Sequence, residues 1–191
     1  MGATVRQFKD GIKHDMLFLD TSFLVDSICP RKGTPRSRIS ECGKFWKKLG
    51  NRIAAKKLLC YVSDLVLDEF YFYVVLSHYE RELPKYPLLS DWHELYRDHP
   101  ELLPNSLPQL DQFYSTVILL GILLTQPCDM PRYVIPPLVI SAKQIMVDFY
   151  MLPTDAFHIA TAKALGIEAI VALDEHFHEV DGIVIYTCLP P

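Results

Sequence analysis

The chain contains no CxxC pair. Its five cysteines, Cys29, Cys42, Cys60, Cys128 and Cys188, are odd in number and far apart. That argues against a structural zinc site and against a disulfide framework, and a reducing cytoplasm is the expected location. The amino terminus, MGATVRQFKDGIKHD, holds no apolar stretch of signal-peptide type. The longest apolar run, VILLGILL at 117–124, is far short of the ~20 residues of a membrane span. It reads as a core helix, with no membrane association. There is no G-x-S-x-G elbow, no Walker A loop and no G-x-G-x-x-G turn, so nucleophilic-serine, P-loop and dinucleotide chemistries have no support. Internal repeats and low-complexity segments are absent too.

What is present is a sizeable potential core, since half of the 191 residues are apolar. One domain over 1–191 is expected, with 83–130 as a helical insertion broken by Pro84, Pro87, Pro100, Pro104 and Pro108. The net charge of −4 argues against a general nucleic-acid coating protein, yet the charge is uneven. Ten of the nineteen Lys and Arg residues fall between Pro30 and Leu58, opposed only by Glu41.

Residues 1–15 read as a polar arm. Strands are expected at Met16–Leu19, Leu58–Val62, Arg132–Ile135, Glu168–Leu173 and Ile183–Tyr186. Helices are expected over Thr21–Cys29, Ser40–Lys57, from Ser63 as N-cap, Ser90–Asp98, Leu110–Leu124, Leu138–Tyr150 and Thr154–Leu165, the last closed by Gly166. Residues 30–40 read as a mobile loop. Short apolar strands alternating with helices imply a three-layer α/β/α fold with a mainly parallel central sheet.

Four acids stand where burial is expected: Asp20 in MLFLDTSFLVD, Glu69 in VSDLVLDEFYFYVV, Asp155 in LPTDAFHIATAKALG and Asp174 in IEAIVALDEHF. A lone buried carboxylate is costly without a partner or a metal. Asp20 and Asp174 each follow a strand, so a parallel sheet places both at its carboxyl edge, where open α/β folds bind ligands. Asp155 opens a helix, whose dipole favours the ionised form. Glu69 lies on the inward stripe of its helix with Val62, Leu65, Val66, Tyr73 and Leu76. Taken singly, each acid also fits a cap, a turn or the partner of an arginine. Taken together they suggest one acidic site for Mg²⁺ or Mn²⁺, which prefer hard oxygen ligands and relieve carboxylate repulsion. Such a site suits phosphoester chemistry.

Other candidates are less specific. His176 and His178 read as a solvated loop. His158 shares a helix face with Asp155 and reads equally as packing or as a substrate contact. Phe45 and Trp46 fit the buried side of an amphipathic helix, and Tyr71, Phe72 and Tyr73 read as core rather than as a nucleotide platform.

The pieces LDTSFLVD, VSDLVLDEF and LPTDAFHIATAKALGIEAIVALDEHF resemble PIN-domain ribonucleases, including the toxins of VapBC-type toxin–antitoxin pairs. The resemblance is loose over Met16–Ala55 and close over Leu58–Ser77 and Leu138–Tyr186. It implies a metal-dependent endoribonuclease with Asp20, Glu69, Asp155 and Asp174 as catalytic and metal-binding acids. It also implies that Ser22 orients Asp20 or a bound water. RNA would lie along the basic stretch, at Arg31, Lys32, Arg36, Arg38, Lys44, Lys47 and Lys48. An antitoxin and a homodimer are the implied partners; the apolar 107–124 segment itself reads equally as a surface for a second subunit or as a fully internal helix. The alternative is a silent PIN-fold scaffold or RNA-binding protein in RNA processing. Two departures stand out: Glu175 and His176 occupy positions where many relatives carry another acid, and 83–130 is longer than in compact members.

Overall fold

The computed structural model describes residues 2–30, 33–119, 121–125 and 135–190. Six strands form one sheet: β1 (Thr4–Gln7), β2 (Met16–Leu19), β3 (Leu59–Ser63), β4 (Leu123–Thr125), β5 (Ala169–Val171) and β6 (Val184–Thr187). Their order is β1-β6-β5-β2-β3-β4, and every pairing is parallel. The helices are α1 (Thr21–Ile28), α2 (Arg36–Ala54), α3 (Asp64–Glu82), α4 (Trp92–Asp98), α5 (Leu107–Leu119), α6 (Ile135–Phe149) and α7 (Pro153–Ala164). They cover the sheet as outer layers of a three-layer α/β/α protein.

The central strands follow from their composition. In β2 the residues Leu17, Phe18 and Leu19 are fully buried, as a parallel strand covered on both faces requires. Ser63 ends β3 and caps α3, its Oγ accepting a hydrogen bond from the Val66 amide at 3.3 Å. Gly166 closes α7 with φ of +70°, the left-handed conformation that glycine adopts without penalty.

The structure differs from the sequence reading at three places. The polar arm is in part β1, which pairs in register with β6 from Thr4↔Val184 to Gln7↔Thr187. The apolar run at 117–124 is not one helix. Gly121, at φ of +67°, turns the chain, and Leu123–Thr125 returns as edge strand β4. Arg36 opens α2, four residues before the expected start, so the loop is shorter. The strand expected at Arg132–Ile135 falls outside the described residues except for Ile135, which begins α6.

Packing at the β1 end is aromatic. Phe8 stacks on Phe45 of α2 with ring centroids 4.1 Å apart, and Phe23 of α1 meets both rings edge-on at 5.7 and 5.8 Å. Tyr186 of β6 lies 6.0 Å from Phe45, and its hydroxyl accepts a hydrogen bond from the Lys13 amide at 2.9 Å. This cluster binds α1 and α2 to the β6 side of the sheet. Trp46 is half-buried against the same core. Replacing Phe45 with alanine is expected to cost about 3–5 kcal/mol in urea unfolding. A loss below about 1 kcal/mol would show that the ring can be removed without opening a cavity.

Candidate active site

β2 and β5 are neighbours, and the chain leaves β2 toward β3 and β5 toward β6, so the connections diverge and open a crevice at their carboxyl ends. The Asp20 amide continues the β2–β5 ladder by donating to the Val171 carbonyl at 3.0 Å. The Asp20 side chain then caps α1, accepting from the Ser22 amide at 2.9 Å and from the Ser22 hydroxyl. That hydroxyl in turn accepts from the Leu173 amide at 2.9 Å. Ser22 thus ties the first acid to the residue preceding Asp174.

All four acids reach one cleft of about 310 Å³, lined also by Thr21, Ser22, Val25, Phe72, Tyr73 and Leu76. They come from four elements: the end of β2, the inner stripe of α3, the first turn of α7 and the segment after β5. Glu69 is held in place by neutral donors and an imidazole. Thr21 Oγ1 donates to its Oε2 at 2.6 Å, and His158 Nε2 lies 2.9 Å from the same oxygen. His158 is buried, and its Nε2 is 3.9 Å from Asp20 Oδ1. Asp174 caps the turn that follows it, accepting from the His176 amide at 2.9 Å, with His176 Nδ1 at 3.0 Å.

The electrostatics follow from this arrangement. Burial pushes the Asp155 carboxyl up, and the charges of Asp20, Asp174 and Glu69 push it further, to about 6. Burial raises Asp20 as well, against the pull of His158 and Ser22. Burial would also raise Glu69, but hydrogen bonds from His158 and Thr21 outweigh it and leave this carboxyl below its usual value. For His158, burial opposes the charged form, and the bond to Glu69 with the charge of Asp20 reverses that and raises it.

Among the described residues no three His, Cys, Asp or Glu groups form a ready-made metal cage. The donor set nevertheless fits Mg²⁺ or Mn²⁺. Mg²⁺ keeps several waters and takes only one or two carboxylates directly, so acids spaced around an open cleft suit it better than a tight cage would. The mutual repulsion that raises Asp155 is relieved by a cation between them.

The basic residues are distributed differently. Arg31 and Lys32 lie outside the described residues. Arg36, Lys44, Lys47 and Lys48 are exposed on α2. Lys48 Nζ donates to the Phe8 carbonyl at 3.0 Å. Arg38 pairs with the buried Asp26 of α1, Nε to Oδ2 at 2.5 Å, beside Ser22 and Asp174. Its charge therefore balances an internal acid. Asp26, His158 and Thr154, whose hydroxyl also hydrogen-bonds Glu69, are members of this constellation that the sequence did not single out with their present roles. Asp26 was visible only as the second acid of LDTSFLVD, and the partners of His158 and Thr154 lie on a distant helix.

Fold and site together define a doubly wound α/β protein that gathers carboxylates at its topological switch point. A family model described as the PIN domain matches residues 130–183. No curated protein matches the chain by sequence. A solved structure of VapBC2 from Rickettsia felis, bound to a DNA fragment from their promoter, aligns over 90% of this chain and 98% of that one, with TM-score 0.52 and 12% identity. VapC20 from Mycobacterium tuberculosis, described as a sarcin–ricin loop cleaving toxin, aligns over 84% and 92%, with TM-score 0.47 and 16% identity. Residues 130–183 are thus similar to the PIN domain by sequence, and the fold of the whole chain is similar to that of the Rickettsia felis structure.

The raised Asp155 carboxyl has a measurable effect on the metal-free protein. Its folded-state value of about 6 lies above the ordinary 3.8, so the folded chain holds this proton more tightly than the unfolded chain. Between those values the unfolded chain binds fewer protons, and stability falls as pH rises. In chelator, the thermal midpoint of Asp155→Asn relative to the parent is expected to climb as pH goes from about 4 to about 6 and then level off. A flat difference across that window would show that neither burial nor the neighbouring charges raise this carboxyl.

Proposed function

We propose that the protein is a divalent-metal-dependent endoribonuclease of the toxin–antitoxin kind. The observation that carries this reading is the delivery of four carboxylates, from four separate elements, to one cleft at the switch point of a PIN fold. Asp20, Glu69, Asp155 and Asp174 are assigned to hold the ion between them. When bound, a hydrated Mg²⁺ or Mn²⁺ supplies charge stabilisation on a phosphoryl oxygen and lowers the pKa of water.

The remaining work falls to the chain's own groups. Ser22 fixes the rotamer of Asp20 through two hydrogen bonds to one oxygen. Thr21 and His158 fix Glu69 in the same way. Asp155, in the first turn of α7 and facing the cleft beside the other three acids, is assigned to accept a proton from the attacking water. Lys44, Lys47 and Lys48, exposed on α2, give a net-acidic protein a basic approach for the RNA backbone. Arg38 contributes to holding α2 against α1 through Asp26.

The Rickettsia felis structure of the same fold contains a VapBC pair. We extend that to an antitoxin partner here; a homodimer is a separate proposal that rests on the sequence resemblance. No helix among the described residues is long and apolar enough to cross a membrane.

Calorimetry with Mn²⁺ is expected to show weak binding by the parent and a clear loss in Asp20→Asn, with RNA cleavage falling by at least a hundredfold. Each lost factor of ten is 1.36 kcal/mol of barrier. Equal Mn²⁺ binding by both proteins would remove Asp20 from the site. Metal binding without any cleavage of RNA would favour a silent scaffold.

A further inference from the structure

We infer that the stripe of α3 facing the acidic cleft is a binding surface for the substrate RNA, with Phe72 as the platform on which a base stacks. This rests on the ribonuclease reading above and names a residue that would hold a base of the RNA. Glu69, Phe72, Tyr73 and Leu76 stand at positions i, i+3, i+4 and i+7, so they share one face of the helix. All four line the acidic cleft. Tyr73 and Leu76 also line the adjoining cleft of about 470 Å³, together with Cys29, Pro30 and Arg81. The two clefts therefore join into a groove that starts at the carboxylates and follows α3.

Phe72 is the telling residue. It belongs to a run, Tyr71 to Tyr73, that looks like core, yet it is 58% exposed at the mouth of an acidic cleft. The ring is braced by Trp92, whose centroid lies 5.9 Å away at an interplanar angle of 74°. An edge-to-face contact of this kind fixes a ring and leaves room for a flat partner. Trp92 is itself stacked on His93 at 3.7 Å, so the brace is anchored. A nucleotide whose phosphate sits at the carboxylates has its base within reach of this ring. Every base has a π-face, so such a platform is tolerant of sequence.

At the other end of the groove stands Arg81, exposed, its Nε donating to the Ser77 carbonyl at 3.1 Å. Twelve residues of helix separate it from Glu69, about 18 Å at the helical rise. A guanidinium at that distance suits a phosphate further along the same strand. A paired base is already stacked on its neighbours and cannot lie on Phe72 without being splayed out.

The test compares the parent with Phe72→Ala, Phe72→Leu and Phe72→Trp, using an oligoribonucleotide with 2-aminopurine in a single-stranded stretch and the same sequence closed into a duplex. Phe72 is exposed, and circular dichroism and thermal midpoints are expected to be unchanged. For the single strand, Phe72→Ala and Phe72→Leu should raise KM and weaken binding on the order of tenfold with kcat nearly kept, while Phe72→Trp retains parental binding. Quenching of the 2-aminopurine, read in chelator as well as in Mn²⁺, should drop in the same two variants. The duplex should bind weakly and without dependence on residue 72. A parent that cleaves RNA with a KM and quenching indifferent to Phe72 would overturn the platform and leave the nuclease reading intact. That outcome is also the one expected if the stripe holds a protein segment. A parent that neither binds nor cleaves single-stranded RNA would overturn both.

Discussion

β2 and β5 are neighbours in the sheet, and the chain leaves β2 toward β3 and β5 toward β6, in opposite directions. The register of that central pair, Phe18↔Ile170 and Leu19↔Val171, brings the segments leaving two strands about 150 residues apart in sequence to the same edge. Asp20 and Leu173 then share Ser22 as a common hydrogen-bonding partner. A slip of one residue in this pairing would turn the buried side chains of β2 to the wrong face and carry Asp20 away from Asp174. The apolar burial of Leu17, Phe18 and Leu19 is what makes such a slip costly.

That placement forces like charges together, and the surrounding groups temper the repulsion unequally. Glu69 is supported by two hydroxyls and an imidazole, and its carboxyl stays readily ionised. Asp155 lacks comparable support and is pushed to about 6. The cleft is thus graded: one acid is fixed and charged, another is held near the point of protonation. Carboxylates in one site commonly separate into different roles in this way.

The central strands and the helices that follow them were legible because MLFL, LCYV and AIV are apolar enough to be buried on both faces. The four acids were legible because each interrupts such a run. β1 was not, because TVRQ has no apolar pattern and owes its strand to pairing with β6. The run VILLGILL satisfies a helix and a strand equally until Gly121 is seen to turn the chain. His158 could be placed on the face of Asp155, but its bond to Glu69 joins α7 to α3, and helical spacing says nothing about contacts between helices. The exposure of Phe72 was hidden for a similar reason. In YFY, three adjacent aromatics point in three directions, and the packing of α4 decides which one meets solvent.

The order of the pieces along the chain has a temporal side. A ribosome delivers Asp20 and Glu69 before Asp155 and Asp174, and β6, the strand that pairs with β1, later still. Chains fold broadly as they emerge, amino-terminal parts first. A partly made chain therefore has half of the acidic quartet and none of the β5 ladder that sets its geometry. Under the proposed nuclease reading, the cleft that would cut RNA is incomplete until the β5 and β6 segments have been made.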